Sequence, residues 1–240
     1  MNVFLSMVAR SAVSAEAAML VCTCVIAAES VAPGINDRYA TEEGREAAVE
    51  IFEGEDRDTY QKPEEIVRQL HLEHGDAACE IGAGTGYFTT YLARAVGPSG
   101  RVYAEDPQKE FVQSIADKIE RGFGLDNVVP VVGSYVDTNL PDGACDVAIV
   151  LDAYHHFEWP APMLDAMAKD MKSDGRLVII DFYRKQNPLF DRIGIDAKKH
   201  LRLDRDEVIA EIEKHGWQYV ESRAFLPYQY FLVFTPPQSP

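Results

Sequence analysis

A doubly wound α/β fold, with a mostly parallel seven-stranded sheet closed by an antiparallel hairpin, is what this 240-residue sequence predicts. Short apolar segments alternate with amphipathic ones from about residue 76 onward, the pattern of parallel strands with covering helices. A glycine-rich turn joins the first such strand to the first helix. Two strand-like runs then end the chain with only Leu226-Pro227 between them, which marks a hairpin.

Each element has a local reason. Residues 31–75 are polar and acidic and read as a helical cap, with helices over Glu42 to Phe52 and Pro63 to Leu72. Pro63 suits the first helical position, Glu64 and Glu65 favour the positive end of the dipole, and Ile66, Val67 and Leu70 share a face. Strands follow over Ala77 to Ile81, Arg101 to Glu105, Val128 to Val132, Asp146 to Leu151 and Arg176 to Asp181, each bounded by Gly, Pro or Asp. Apolar stripes space the intervening helices: Phe88, Leu92 and Ala95; Phe111, Val112, Ile115 and Ile119; Met163, Leu164, Met167 and Met171. A helix from about Asp204 to His215 stops at Gly216, and Tyr219 to Phe225 with Tyr228 to Thr235 form the terminal hairpin. Residues 76–235 make the main domain, and 236–240 read as a frayed tail.

Residues 1–30 stand apart. Ala17 to Ala28 is a run of 12 mostly apolar residues, too short for a membrane span but long enough for a secretory leader. The segment leaves export and a cytoplasmic location both open. Oligomeric state is not readable.

Composition narrows the partners. The formal charge of −16 argues against a chain that grips nucleic-acid backbone and suits a small-molecule substrate. None of the four cysteines has a zinc-site spacing, so no metal is implied. Cys79 and Cys145, in strand-like segments, read as buried thiols.

Chemistry concentrates in Glu80-Ile81-Gly82-Ala83-Gly84-Thr85-Gly86. Glycines there let the backbone turn and approach a ligand lying across the strand ends. Asp106, at the end of the second strand, can accept hydrogen bonds from both hydroxyls of an unphosphorylated ribose. Glu105 is the reserve, since successive strand residues face opposite ways. A dinucleotide fingerprint read from Gly82 needs glycine at position 87, which is Tyr87. The pattern is instead G-x-G-x-G preceded by Glu80, whose charge suits an ammonium and a sulfonium better than a pyrophosphate.

These residues resemble the class I S-adenosylmethionine-dependent methyltransferase family over about residues 60 to 235. Glu80 to Gly86 looks like the family's first motif, with Gly82, Ala83, Gly84 and Gly86 in the cofactor loop. Asp106 resembles its ribose-binding acid, and Asp137 its adenine-contacting acid. Asp146 to Asp152, running into Ala153-Tyr154-His155-His156-Phe157, is similar to its fourth motif. The terminal hairpin is similar to the strands that separate this family from nucleotide dehydrogenases. The resemblance implies S-adenosylmethionine as cofactor, a Rossmann-like methyltransferase fold and, because that cofactor is made in the cytoplasm, a cytoplasmic location in preference to export through the N-terminal segment.

Methyl transfer is an in-line displacement needing alignment and desolvation. Tyr87, Phe88, Tyr154 and Phe157 are the aromatic candidates beside the sulfonium. His155 or His156 is the candidate base for a hydroxyl, thiol or protonated amine, with Tyr154 beside them, and Asp152 is expected at the methionine end or the substrate mouth. Tyr183 and Arg184 are weaker pocket candidates, and Lys185 to His200 a candidate lid. Two other classes stay open: a nicotinamide-dependent oxidoreductase, and a non-catalytic S-adenosylmethionine-binding protein.

Overall fold

The computed structural model describes residues 29–238; the leader expected over residues 1–30 falls almost entirely outside them. After a 3-10 turn at Asp37–Ala40, the elements run α1 (Glu42–Phe52), α2 (Arg57–Gln61), α3 (Pro63–Leu70), β1 (Ala77–Ile81), α4 (Thr89–Val96), β2 (Arg101–Asp106), α5 (Lys109–Glu120), β3 (Val128–Val132) and β4 (Cys145–Leu151). A second 3-10 turn, Tyr154–His156, leads to α6 (Pro160–Asp170), β5 (Met171–Phe182), α7 (Pro188–Ile193), α8 (Ala197–His200), α9 (Arg205–Lys214), β6 (Gln218–Arg223) and β7 (Gln229–Thr235).

The seven strands form one sheet in the order β3-β2-β1-β4-β5-β7-β6. Pairing is parallel from β3 through β5, and β7 runs antiparallel to both β5 and β6. Strand order reverses between β1 and β4, so the loops leaving them diverge to opposite faces and open a crevice at their carboxyl ends. Ile66, Leu92 and Ile115, from α3, α4 and α5, pack against Ala78, Val102 and Ile149 on one face. Met163, Leu164 and Met167 of α6 join Val208 and Ile212 of α9 and Trp217 on the other. Each face of the central strands is therefore dry, which is why they read as continuous apolar runs rather than alternating ones.

Several boundaries follow from caps. Asp204 forms a capping box with Glu207 at the start of α9. Met171, expected to extend the stripe of α6, instead begins β5, because α6 ends at Asp170 and the extended backbone of Met171 pairs with Cys145.

The cysteines correct the thiol reading. Cys79 and Cys145 form a disulfide with Cα atoms 5.8 Å apart. β4 is irregular at its start, where its register against β5 shifts between Cys145 and Val147, and there Cys145 meets Cys79 of the neighbouring strand. Their separation of 66 residues gave no hint of the pairing.

Candidate active site

The crevice between the β1 and β4 loops opens into a cavity of about 1240 Å³, mouth included. Its floor is the turn after β1. Gly82 has φ +77°, and a Cβ there would lie 2.6 Å from the Cβ of Ala153. Gly84 has φ +55°, and a Cβ there would press on Phe52 at 3.2 Å. Gly82 thus requires glycine twice over, for the left-handed backbone and for the close approach of the opposing loop, whereas at Gly84 the left-handed backbone favours glycine and Phe52 of α1 would have to give by a few tenths of an ångström. Gly82 and Gly84 line the cavity, whereas Ala83 and Gly86 shape the turn from behind: Ala83 N donates to Glu105 O, and Gly86 packs on Ile115.

The two acids of β2 both line the cavity, rather than one facing in and one away. Asp106 is the strand's last residue, paired with Val132 at the end of the ladder. Its Oδ2 accepts from Gly84 N at 2.9 Å and its Oδ1 from Gln108 N at 2.8 Å, which locks the carboxylate across the glycine turn. Glu105 Oε2 accepts from Gly82 N, while its buried Oε1 has no hydrogen-bond partner among the described residues. An unpartnered buried carboxylate oxygen is costly unless a ligand donor meets it.

Burial raises the pKa of Glu80, Asp106 and Asp152. Glu80 is pushed up to about 7 by burial, opposed by a hydrogen bond from Thr89 Oγ1 at 2.5 Å. It lies beneath the turn, not in the cavity wall, and ties β1 to the start of α4. Asp106 is pushed up to about 6 by burial, against the two backbone donors. Asp152 lines the cavity with a left-handed backbone (φ +55°) and is pushed up to about 7 by burial, with Arg57 pulling the other way.

The N-terminal cap contributes a wall that the sequence reading did not place there. Tyr39, Phe52 and Tyr60 line the cavity beside Phe111 and Tyr135. Arg57 also lines it, reaching within 3.7 Å of Asp152 Oδ2 and lying 4.0 Å over the ring of Tyr87. These side chains were invisible to motif reading because no fixed spacing links them to the glycine turn.

Of the four aromatic candidates, only Phe157 lines the cavity. Tyr87 is held by Asp58 and Arg57, and Phe88 is core. Tyr154 is turned into the α9 side of the core: its hydroxyl donates to Glu211 Oε1 at 2.8 Å, and Glu211 is paired with Arg202. The phenol thus braces α9 from outside the cavity. Asp137 is exposed, and its Oδ1 accepts from Asn139 N, so it closes its own turn instead of facing the cavity. Tyr183 packs on Tyr230 and Arg184 binds Lys198 O, both away from the cavity.

His155 and His156 do line the mouth. His155 Nδ1 donates to Asp181, 2.8 Å from Oδ1 and 3.0 Å from Oδ2. Burial works against charge on this ring, but Asp181 prevails and the pKa is raised. His156 is driven well below the ordinary histidine range by burial and by His155 and His200. The segment Lys185 to His200, expected as a loop lid, contains α7 and α8, and Leu189, Phe190, Ile193, Ile195 and His200 roof the cavity.

A glycine turn braced by a carboxylate at the switch point of a doubly wound sheet defines a nucleoside-binding α/β protein. Comparison with known proteins narrows the class. Residues 79–179 match the methyltransferase domain family. The chain is 29% identical over 155 residues to the uncharacterized methyltransferase YcgJ of Bacillus subtilis, covering 62% of this chain and 56% of that protein. It is 27% identical over 163 residues to a demethylmenaquinone methyltransferase of Anoxybacillus flavithermus, covering 67% of this chain and 68% of that one. A SAM-dependent methyltransferase from Aquifex aeolicus superposes with a TM-score of 0.68 at 23% identity, over 75% of this chain and 92% of that one. The chain spans about half the length of most of the curated relatives it matches. Residues 79–179 thus carry a methyltransferase-domain match within a Rossmann-like sheet of the kind found in S-adenosylmethionine-dependent methyltransferases.

The site fits that cofactor. Glu105 and Asp106 put carboxylates in the cavity wall, the acceptors a ribose diol needs, and the glycine turn admits the ligand backbone-close. Aromatic and acidic walls suit a cation that is part apolar.

Proposed function

We propose that this protein transfers a methyl group from S-adenosylmethionine to a small acceptor that enters past the histidine-lined mouth. The observation that carries this reading is the pairing of Asp106 with Gly84 N across a turn where both cavity-lining glycines take the left-handed backbone. When bound, S-adenosylmethionine supplies an electrophilic methyl group on a sulfonium.

The residues divide the remaining work. Glu105 and Asp106 hold the sugar; Arg57, one of two arginines in the wall with Arg38, is placed to meet a carboxylate; Tyr39, Phe52 and Phe111 exclude water. Preorganised groups of this kind lower the barrier by positioning more than by chemistry. His155, oriented by Asp181, faces the mouth with its Nε2 side and is placed to receive the proton of a hydroxyl or thiol acceptor. The apolar wall from Phe182, Leu189 and Phe190 favours an acceptor with a hydrophobic body.

The test is turnover. Purified chain incubated with S-adenosylmethionine and a panel of phenols, thiols and amines is expected to release S-adenosylhomocysteine with one matching methylated product. Asp106→Ala should lower that rate by at least about 100-fold by displacing the sugar. An unchanged rate in Asp106→Ala would contradict the assigned site.

A further inference from the structure

Three imidazoles meet at the mouth of the cavity. His155 and His156 leave β4 in the 3-10 turn, and His200 arrives from the roof as the last residue of α8. One ligating atom from each lies within 4.8 Å of the other two. The ring centres are 4.3, 4.9 and 5.6 Å apart. Three imidazoles on one tetrahedral ion, with metal–nitrogen bonds of about 2.0–2.1 Å, hold their ring centres roughly 5 Å apart.

The outer contacts point the same way. Asp181 accepts from His155 Nδ1 and is itself fixed by Phe182 N at 2.8 Å. Asn36 Oδ1 accepts from His156 Nδ1 at 3.0 Å, and its amide is locked because Nδ2 donates to His156 O and Glu158 Oε1. Both rings are thereby held in the tautomer that leaves Nε2 with its lone pair. Among the described residues no hydrogen bond engages the ring of His200. A carboxylate or amide oxygen on the far nitrogen is the usual support of a metal-bound histidine.

We propose that His155, His156 and His200 form a three-histidine site for a borderline divalent cation, zinc first, whose fourth position opens into the cavity. Neutral imidazole donors suit zinc and its neighbours better than magnesium or calcium. Three protein ligands with one open position is the arrangement of catalytic rather than structural zinc. The open position would take the acceptor's oxygen or sulfur, and coordination would release that atom's proton to solvent, His155 Nε2 then holding the ion in place of receiving that proton. This role for the ion rests on the methyl-transfer reading, whereas the ion site itself does not. It also requires the roof to be down, since His200 is the third ligand.

The experiment uses the full chain without an affinity tag, stripped with a chelator. Zinc is titrated calorimetrically and cobalt by its visible absorption, with S-adenosylmethionine binding measured on every variant. One equivalent of zinc and a tetrahedral cobalt spectrum are expected. His200→Ala and His156→Ala should each weaken zinc by at least about 100-fold, and Asp181→Asn by roughly 10–100-fold. His215→Ala, on the surface at the end of α9, should change nothing. Absence of saturable binding, or binding indifferent to His200→Ala, overturns the site. Zinc bound without S-adenosylmethionine would sink the methyl-transfer reading and leave the ion site standing; the reverse result would sink the ion site alone.

Discussion

Burial leaves Glu80, Asp106 and Asp152 as weak acids around one crevice, with pKa values of about 7, 6 and 7. Arg57 and Lys118 face Glu80, and Arg57 and Asp181 face Asp152, but burial dominates each. Because these folded values exceed the unfolded ones, the folded state binds more protons in the window between them. Their contribution to stability is present at acidic pH and is lost as pH rises through about 6 to 7. The ligand-free protein should therefore melt at a lower temperature at pH 8 than at pH 6, as scanning fluorimetry can check. A cationic ligand pulls the same pKa values down, so S-adenosylmethionine should bind more tightly from about pH 6 to about pH 7 and expel protons. Calorimetry in two buffers of different ionisation enthalpy reads that release directly. Tyr154 gives a second prediction at this scale. Its hydroxyl serves Glu211, which keeps Arg202, so Tyr154→Phe should cost about 1 kcal/mol of stability and leave turnover near wild type. The sequence placed Gly82, Gly84, Asp106 and His155 at the crevice because a strand-turn-helix frame fixes their positions. It misplaced Tyr154 and Asp137 because side-chain direction in a short turn depends on partners, Glu211 and Asn139 N, that no local spacing reveals.

At the scale of elements, strands were the most legible. Ala77–Ile81, Val128–Val132 and α1 carry the expected bounds, β2 and β4 each gain one residue, and β5 begins earlier, at Met171. Apolar runs ended by Gly, Pro or Asp leave little freedom. Contacts between elements were not legible. The Cys79–Cys145 bridge depends on the β1–β4 pairing, and the roof depends on Phe190 seating against Phe182 with ring centres 4.9 Å apart. By loop length the bridge should contribute roughly 4 kcal/mol. Replacing both cysteines with alanine is expected to lower the urea midpoint accordingly, and neither thiol of the folded wild type should react with a labelling reagent. Labelling of both cysteines without denaturant would contradict the bridge. His200 belongs here too: no local spacing links it to His155 and His156, and the α7–α8 roof carries it to them.

For the whole molecule, sheet order decides function. Placing β1 against β4 puts the glycine turn opposite the Asp152–Phe157 loop, and the terminal antiparallel pair covers β5, which in turn positions Asp181 behind His155. Among the described residues no helix is long and apolar enough to cross a membrane. The strongly acidic surface and the enclosed cavity both suit a small acceptor. The N-terminal cap lines the same cavity as the glycine turn, with Asn36, Tyr39, Phe52 and Arg57 all in its wall. The most direct measurement is isothermal calorimetry of the intact chain with S-adenosylmethionine, S-adenosylhomocysteine and NAD. One equivalent of each adenosyl ligand, no heat from NAD, and loss of binding in Gly82→Ala are the results this account predicts. Binding of NAD alone, or adenosyl binding that survives a methyl group forced against Ala153, would contradict it.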